Sequence, residues 1–159
     1  MQSRIGLLEL DEFLKIRGSL RQENKKLVFT NGCFDIIHRG HVDYLTRAKE
    51  LGDALVVALN SDSSVRKLKG QGRPVVSLID RAFVLSNFKC VDFVISFNEE
   101  TPFEIISKVV PDILVKGGDW KIDQIVGRDI VENNGGKVYS LKYVDNYSTS
   151  SILEKIKRL

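Results

Sequence analysis

The sequence predicts an α/β protein built around one parallel sheet, and three observations support this class. Short apolar runs of strand length alternate along the chain with amphipathic stretches of helical period. Residues 54–59 are continuously apolar, which is typical of a strand buried on both faces of a parallel sheet. Glycine or proline marks several boundaries between these segments, for example Gly52 and Pro111. Such alternation favours helices on both faces of the sheet.

The predicted elements cover nearly the whole chain. We expect one domain over residues 1–159, with a helix at about 9–22 that precedes the core and docks on it or on a partner subunit. The strands are expected at 27–31, 54–59, 91–96, 113–116 and 137–144, and further helices at 42–51, 62–68, 77–88, 101–110, 124–133 and 148–158. Asp62, Ser77, Thr101 and either Ser148 or Thr149 stand where N-caps are expected.

The order of the strands predicts where a ligand binds. Right-handed crossovers leave few topologies, and we favour a Rossmann-like, doubly wound, five-stranded sheet of order 3-2-1-4-5. Strands 1 and 4 are then neighbours whose connections leave in opposite directions, so a crevice opens at their carboxyl ends. The glycine-bearing segments 31–35 and 116–120 follow these two strands. The sequence therefore predicts a nucleotide-sized site there.

Composition excludes several functional classes. The chain has 24 basic and 21 acidic residues, a formal net charge of +3, which is too mild to indicate nucleic-acid binding. No apolar run has the length of a membrane span, and the N-terminus lacks a signal-peptide apolar region. Cys33 and Cys90 show neither metal-ligand nor disulfide spacing, so both are predicted to be small buried side chains in a cytoplasmic protein.

Both histidines of the chain fall in one turn. His38 and His41 lie three residues apart at a predicted helix start, where unpaired backbone N–H groups attract anions. Gly40, between them, is expected to let a phosphate approach the backbone. A zinc site is disfavoured because no third ligand has suitable spacing, and no protein ligand to a metal is assigned.

The motif around these histidines resembles a known family. Gly32-x-Phe34-Asp35-x-x-His38-x-Gly40-His41 is similar to the signature of the HxGH nucleotidyltransferases, the cytidylyltransferase-like superfamily. Segments 60–75, 80–81, 115–119 and 147–151 extend the resemblance over nearly the whole chain from Lys26. Within the superfamily the combination is most similar to the bacterial D-glycero-β-D-manno-heptose 1-phosphate adenylyltransferases. No kinase domain accompanies it, which predicts a stand-alone form.

The resemblance implies a reaction and a set of site residues. The enzyme would transfer AMP from ATP, carried with Mg²⁺, to a heptose 1-phosphate, giving ADP-heptose for lipopolysaccharide core and pyrophosphate. The ionised nucleophile needs no general base, so catalysis would rest on positioning and charge stabilisation. The implied catalytic residues are His38, His41 and Lys69. The implied nucleotide-binding residues are Asn31, Gly32, Cys33, Phe34, Gly40, Arg73, Lys116, Gly117, Gly118, Asp119, Tyr147, Ser148 and Thr149. Asp35, Arg81 and Trp120 are candidate substrate-binding residues.

Several alternatives stay open at this stage. Arg81 is equally compatible with a structural ion pair, Trp120 with core packing, and Ser148 with plain N-capping. A glycerol-3-phosphate cytidylyltransferase is the alternative enzyme, although residues 143–146 lack the Arg-Thr-Glu-Gly run usual in that family. A non-catalytic nucleotide-binding module would be expected to have lost a histidine or the basic loop. The family also implies a homo-oligomer, a dimer or higher, without nucleic-acid or membrane partners.

Overall fold

A computed structural model describes residues 6–144 and 147–159 of the protein. Within these residues a five-stranded parallel sheet has the order β3-β2-β1-β4-β5, which confirms the predicted fold. The strands are β1 (Leu27–Gly32), β2 (Ala54–Asn60), β3 (Phe93–Phe97), β4 (Ile113–Gly117) and β5 (Lys137–Leu141). Asp145 and Asn146, part of the run that distinguished the cytidylyltransferase alternative, lie outside the described residues.

Helices connect the strands and cover the sheet. They are α1 (Leu10–Gln22), α2 (Arg39–Lys49), α3 (Asp62–Lys69), α4 (Leu78–Ser86), α5 (Phe103–Val109), α6 (Arg128–Asn133) and α7 (Thr149–Lys157). The helix predicted at 124–133 begins only at Arg128, because Gly127 adopts a left-handed φ of 86° after a 3-10 turn at Ile122–Gln124. In the described part of the chain, no helix is both long and apolar enough to cross a membrane.

Two of the predicted helix caps are wrong. Ser61, rather than Asp62, caps α3, because its hydroxyl accepts the amide of Ser64 while Asp62 lies inside the first turn. Thr101 does not cap α5, whose N-cap position is Pro102 and has no side-chain cap. The predicted caps at Ser77 and Ser148 are confirmed, since each hydroxyl accepts an amide three residues later.

Apolar side chains fill both faces of the sheet. Neighbouring residues of a strand point to opposite faces, so Val28 and Leu55 pack beneath α2 and α4 while Phe29 and Val56 pack beneath α1 and α5. All seven positions of β2 are buried, as the continuous apolar run predicts. The expectation for the thiols is wrong: Cys33 and Cys90 are half-buried, because Cys33 directly follows β1 and Cys90 lies in the turn between α4 and β3, outside the core.

Helix α1 docks on the sheet-bearing body itself. The ring of Phe13 packs on Phe93 with centroids 5.5 Å apart. Arg17 is 3% exposed, and its guanidinium reaches the Val110 carbonyl and the Asp112 carboxylate, both at 2.8 Å. The sequence predicts that this helix docks either on the domain or on a partner subunit, and the structure shows it docked on the domain.

The segment ahead of α1 lies along β3, an edge strand of the sheet. Leu7 forms a parallel bridge with Val94, and the Leu8 amide donates to the Val94 carbonyl at 2.9 Å. The residues that precede α1 therefore pair with part of this edge strand.

Candidate active site

A cavity of about 610 Å³ opens at the carboxyl ends of the strands, where the sheet order predicts a ligand site. The segment after β1, the segment after β4, the end of α3 with its following loop, and the start of α7 all contribute to its wall. The predicted site residues that line it are Asn31, Gly32, Cys33, Phe34, Asp35, His41, Lys69, Arg73, Lys116, Gly117, Trp120 and Thr149. His38, Gly40, Arg81, Gly118, Asp119, Tyr147 and Ser148 are not part of this lining.

The two histidines form a stacked pair at the start of α2. Their ring centroids are 3.8 Å apart with an interplanar angle of 26°. His38 is the N-cap of α2, and its Nδ1 accepts the Gly40 amide at 3.1 Å. Because Nδ1 is an acceptor, a neutral His38 carries its proton on Nε2. The spacing of three residues thus brings the rings together, as predicted.

Burial keeps both imidazoles neutral near pH 7. Desolvation lowers the pKa of His38 below its ordinary value. Desolvation and the neighbouring His38 together lower the pKa of His41 to about 4. The Nδ1 atom of His41 is buried and has no hydrogen-bond partner within the described residues. His41 therefore lines the cavity as a neutral ring whose Nδ1 is not bound to any protein group in the described part of the chain.

Gly40 is tightly packed by protein atoms. A Cβ at this position would meet Cε1 and Nδ1 of His38 at 3.0 Å and Cβ of Tyr147 at 3.1 Å. The sequence predicts that a phosphate approaches the backbone at Gly40. In the structure the side chains of His38 and Tyr147 occupy this space instead.

Phe34 holds a strained backbone beside the histidines. Its φ is 46°, a left-handed value that a bulky side chain rarely adopts. Its ring lies against Gly32, where a Cβ would meet Cε2 at 2.9 Å, and 5.1 Å from the His41 ring. Gly32 therefore lets the Phe34 ring fold back and support His41 from the side.

The basic loop after α3 faces the cavity and is tied to Asp35. Lys69, the last residue of α3, and Arg73 both line the cavity. The side chain of Asp35 is fully buried, and its carboxylate accepts hydrogen bonds from Arg73 Nε and from the amides of Val75 and Val76. Burial alone would raise the pKa of Asp35, but these donors outweigh it and the pKa lies below its usual value. The carboxylate is thus occupied by the loop.

Trp120 forms one wall of the cavity. Its side chain is 48% exposed, so the core-packing alternative is wrong. The reason is local, because its amide is held by Ser140 Oγ, which also donates to the Gly118 carbonyl. Lys116 Nζ lies 5.7 Å from the Trp120 ring centroid, and desolvation lowers the pKa of this lysine. A smaller adjoining pocket of about 70 Å³ lies behind Trp120, lined also by Pro102, Leu114, Gln124, Ile125 and Val126.

The loop after β4 directs Asp119 away from the cavity. Gly117 approaches Tyr143 so closely that a Cβ would lie 2.3 Å from the Tyr143 hydroxyl. Gly118 has a φ of 110°, which turns the chain at this point. Asp119 is highly exposed, with Lys142 Nζ 3.8 Å away. In this arrangement Asp119 does not touch the cavity that Lys116 and Gly117 line.

The start of α7 supplies hydroxyls beside the segment that follows β1. Ser148 Oγ accepts the Ser151 amide at 3.0 Å, so the N-cap alternative for this residue is confirmed. Thr149 lines the cavity, and its hydroxyl donates to the Ile36 carbonyl at 3.3 Å. Tyr147 lies outside the lining, where its ring stacks 6.5 Å from His38 and beneath the Arg39 guanidinium.

Arg81 lies behind the cavity, with no exposed surface. Its guanidinium contacts three backbone carbonyls and the carboxylate of Asp62. Of the two alternatives for this residue, the geometry favours the structural ion pair over direct contact with a ligand.

Sequence reasoning missed part of the cavity wall. The additional lining residues are Asn60, Leu68, Glu100, Thr101, Pro102, Val126, Tyr143 and Ser150. Asn60 ends β2 beside β1, so the sheet order could have placed it. Residues 100–102 follow β3, where the sequence predicts only a helix start at Thr101.

The donor set of the cavity does not fit a magnesium ion held by the protein alone. Magnesium prefers several carboxylate and water oxygens, but Asp35 is occupied by Arg73 and two amides, which leaves Glu100 as the one other carboxylate among the described lining residues. Within the described ranges no group of three His, Cys, Asp or Glu side chains is arranged to hold a metal.

The sheet order and the cavity at its switch point define a Rossmann-like α/β protein with an H-x-G-H motif at the start of α2. The family described as cytidylyltransferase-like matches residues 29–155, so the chain belongs to the cytidylyltransferase-like family. This confirms the family that the sequence motifs indicate.

Individual relatives agree with this membership. The bifunctional protein HldE of Pseudomonas fluorescens is 53% identical over 156 residues, covering 98% of this chain and 33% of the relative. The HldE protein of Syntrophotalea carbinolica is 49% identical, with 94% and 32% covered. The chain thus spans about a third of the length of these curated relatives.

Solved structures share the fold. A lipopolysaccharide core biosynthesis protein of Thermoplasma volcanium superposes with a TM-score of 0.63 at 32% identity, covering 78% of this chain and 99% of the other. A pantoate–β-alanine ligase of Francisella tularensis superposes with a TM-score of 0.61 at 14% identity, covering 96% and 78%. The second likeness concerns the fold alone.

Proposed function

We propose that the protein transfers AMP from ATP to D-glycero-β-D-manno-heptose 1-phosphate, releasing pyrophosphate and giving ADP-heptose. The observation that carries the proposal is the cavity that brings His41, Lys69, Arg73 and Lys116 together at the switch point of the sheet. Neutral donors and cations around one space suit a polyphosphate. The motif resemblance and the identity to HldE proteins support the choice of a heptose phosphate.

Two chemically different sets of side chains line the cavity. His41, Lys69, Arg73 and the hydroxyl-bearing start of α7 are suited to the triphosphate. Trp120 offers an exposed aromatic face and shares the smaller pocket with Pro102, which follows Glu100 and Thr101 in the chain. An aromatic face with hydroxyl and carboxylate groups nearby suits a polyhydroxylated ring. We therefore place the acceptor sugar near Trp120 and Lys116.

The reaction requires no proton transfer by the protein. An oxygen of the acceptor phosphate, already ionised at pH 7, forms a bond to the α-phosphorus, and the bond from this phosphorus to the bridging oxygen of pyrophosphate breaks. Charge then increases on the leaving pyrophosphate. Neutral His41 donates a hydrogen bond to the phosphate oxygens, and Lys69 and Arg73 offset their charge.

His38 supports this step from outside the cavity. It stacks on His41 and fixes the first turn of α2, so the His41 ring is positioned before the nucleotide arrives. The nucleotide enters the proposal as the magnesium complex of ATP, with the metal held by phosphate oxygens. The proposed compartment is the cytoplasm, and the proposed assembly is a homo-oligomer.

Pyrophosphate release tests the proposal directly. Purified protein is incubated with each of ATP, CTP, GTP and UTP against heptose 1-phosphate, other sugar 1-phosphates and glycerol 3-phosphate. We expect release with ATP and heptose 1-phosphate, and a nucleotide sugar of the mass of ADP-heptose. Release only with CTP and glycerol 3-phosphate would contradict the proposal and favour a cytidylyltransferase.

A further inference from the structure

Arg81 joins three separate segments of the cavity wall. Its Nη1 donates to the Cys33 carbonyl at 2.6 Å and its Nε to the Val76 carbonyl at 3.0 Å. Its Nη2 donates to the Asn60 carbonyl at 2.9 Å and to Asp62 Oδ1 at 2.8 Å. The side chain is completely buried, and a buried guanidinium is tolerated only when its donors are satisfied.

Each acceptor belongs to a segment that carries part of the site. Cys33 lies in the turn between β1 and the histidines, and Asn60 ends β2. Asp62 is the first residue of α3, the helix that ends with Lys69. Val76 closes the basic loop three residues after Arg73. One side chain thus connects the histidine turn with the start of the helix that carries Lys69 and with the far end of the loop that carries Arg73.

Asp35 holds the same loop from another direction. Its carboxylate accepts the amides of Val75 and Val76 at 2.9 Å, and it pairs with Arg73. The backbone amide of Val76 therefore donates to Asp35, while the backbone carbonyl of the same residue accepts from Arg81. Two buried side chains of opposite charge thus hold both backbone polar groups of Val76.

Within the loop, the Arg73 amide donates to the Gly70 carbonyl at 3.2 Å, a bond that closes a turn but ties the loop to no other segment. Gly70 adopts a φ of 95°, and a Cβ on Gly70 or Gly72 would meet no atom within 4 Å. The tip between Lys69 and Arg73 therefore has open space around it, so its placement depends on its two ends. Arg81 binds Asp62 at the start of α3, the helix whose last residue is Lys69, and it binds Val76 at the far end of the loop. Asp35 binds that far end as well.

We infer that Arg81 and Asp35 are positioning residues that hold Lys69 and Arg73 against the phosphates without themselves touching the nucleotide. The inference rests on the proposed function. It differs from a purely structural role because it predicts a defect in phosphate binding beyond the loss of folding stability. A displacement of the loop of about 1 Å is enough to lower activity on the order of 100-fold.

The first experiment compares two buried arginines. Arg81→Lys keeps the charge but replaces a planar fork with a single ammonium, which cannot reach the three carbonyls together. Arg17→Lys is the matched control, because Arg17 is 3% exposed and binds Val110 and Asp112 far from the cavity lining. Thermal unfolding gives the loss of stability in each variant.

Trp120 supplies a binding signal that does not require catalysis. It is the only tryptophan in the sequence and lines the cavity, so its fluorescence reports titration with inorganic tripolyphosphate. We expect both variants to unfold at lower temperature, but only Arg81→Lys to bind tripolyphosphate on the order of 10- to 100-fold more weakly. Unchanged binding in Arg81→Lys, or an equal loss in Arg17→Lys, would overturn the inference.

A double variant tests whether Arg81 acts through the loop. In a Lys69→Ala background, the loss of tripolyphosphate affinity caused by Arg81→Lys should be smaller than in the wild-type background. An undiminished, multiplicative loss would show that Arg81 acts independently of Lys69 and would contradict the inference. If Arg81→Lys does not fold, Asp35→Asn perturbs the Val75–Val76 end from the other side and should weaken tripolyphosphate binding in the same way. Wild-type affinity in a folded Asp35→Asn protein would then overturn the inference.

The outcomes separate this inference from the proposed function. If wild-type protein binds tripolyphosphate, Arg81→Lys weakens that binding and no AMP is transferred, the proposed function is refuted and the positioning role stays intact. A wild-type protein that makes ADP-heptose, with Arg81→Lys matching it in kcat and KM, would refute the positioning role alone.

Discussion

The imidazole rings of His38 and His41 stack 3.8 Å apart, yet they hold different places in the structure. His38 is bound to the backbone as the N-cap of α2, whereas His41 faces the cavity with Nδ1 uncommitted among the described residues. Substitution of each histidine should therefore affect stability and turnover in different proportions.

His41→Ala should reduce kcat by on the order of 10²- to 10³-fold, the cost of losing one donor to developing charge. Its folding stability should change little, because the described structure shows no hydrogen bond to its Nδ1. His38→Ala should lower the free energy of unfolding by about 1 kcal/mol, because it removes the N-cap of α2, and it should also reduce kcat through the less well positioned His41 ring. Pyrophosphate release and urea unfolding measure the two effects. Normal turnover in folded His41→Ala would contradict the assignment of the site.

Lys69→Ala should lower kcat/KM for ATP while leaving the unfolding temperature unchanged, because Lys69 is exposed and lines the cavity. Lys67→Ala is the matched control, since Lys67 is an exposed lysine of the same helix outside the cavity lining. Steady-state kinetics over a range of ATP concentrations distinguishes them. Equal losses in both variants would indicate a general effect of net charge, and unfolding of Lys69→Ala would show a structural role.

Stability should fall as the pH drops from about 6.5 to about 4. The unfolded chain protonates His41 near its ordinary pKa of 6.5, while the folded protein protonates it only near 4. Between these values the unfolded state binds more protons, so acid favours unfolding. Urea unfolding of wild type and His41→Gln across this range isolates the contribution of His41 from those of other groups. A wild-type curve parallel to that of His41→Gln would contradict the depressed pKa.

Ser148→Ala should loosen the start of α7, because the Ser148 hydroxyl accepts the Ser151 amide at 3.0 Å. Loss of such a cap costs about 1 kcal/mol, which should speed hydrogen exchange at the Ser151 amide roughly fivefold. Ser148→Asn retains a side-chain acceptor and should restore slow exchange. Equally fast exchange in Ser148→Asn would show that capping is not the role of this residue.

The fold was largely predictable because its signals are local and periodic. A continuous apolar strand such as β2 can only be buried, and right-handed crossovers then restrict the sheet order. The position of the cavity follows from that order. The boundaries of the helices were less predictable. The helix expected at 124–133 is shortened because Gly127 adopts a left-handed backbone conformation that no local sequence pattern indicates.

The candidate site was predictable at its motif residues and less so elsewhere. Tryptophan is a large aromatic residue of the kind that usually packs in a core. Trp120 is instead exposed on the cavity wall, because the Ser140 hydroxyl binds the Trp120 amide and the Gly118 carbonyl. Arg81 and Asp35 occur in motif segments, but three of the four Arg81 partners lie 19 to 48 residues away in sequence, and the Asp35 partners lie 38 to 41 residues away. Such contacts are set by tertiary structure, so no local pattern could show whether these charges meet a ligand or the backbone.

The bridge between Leu7 and Val94 bears on how this protein avoids self-association through its sheet. An uncovered edge strand offers unpaired amides and carbonyls to any other chain, and β3 is the edge nearest the N-terminus. A chain shortened to begin at α1 would lose this pairing while keeping every residue of the cavity lining. We expect such a chain to form intermolecular strand pairs during storage, detectable as rising light scattering, while its freshly prepared form retains activity.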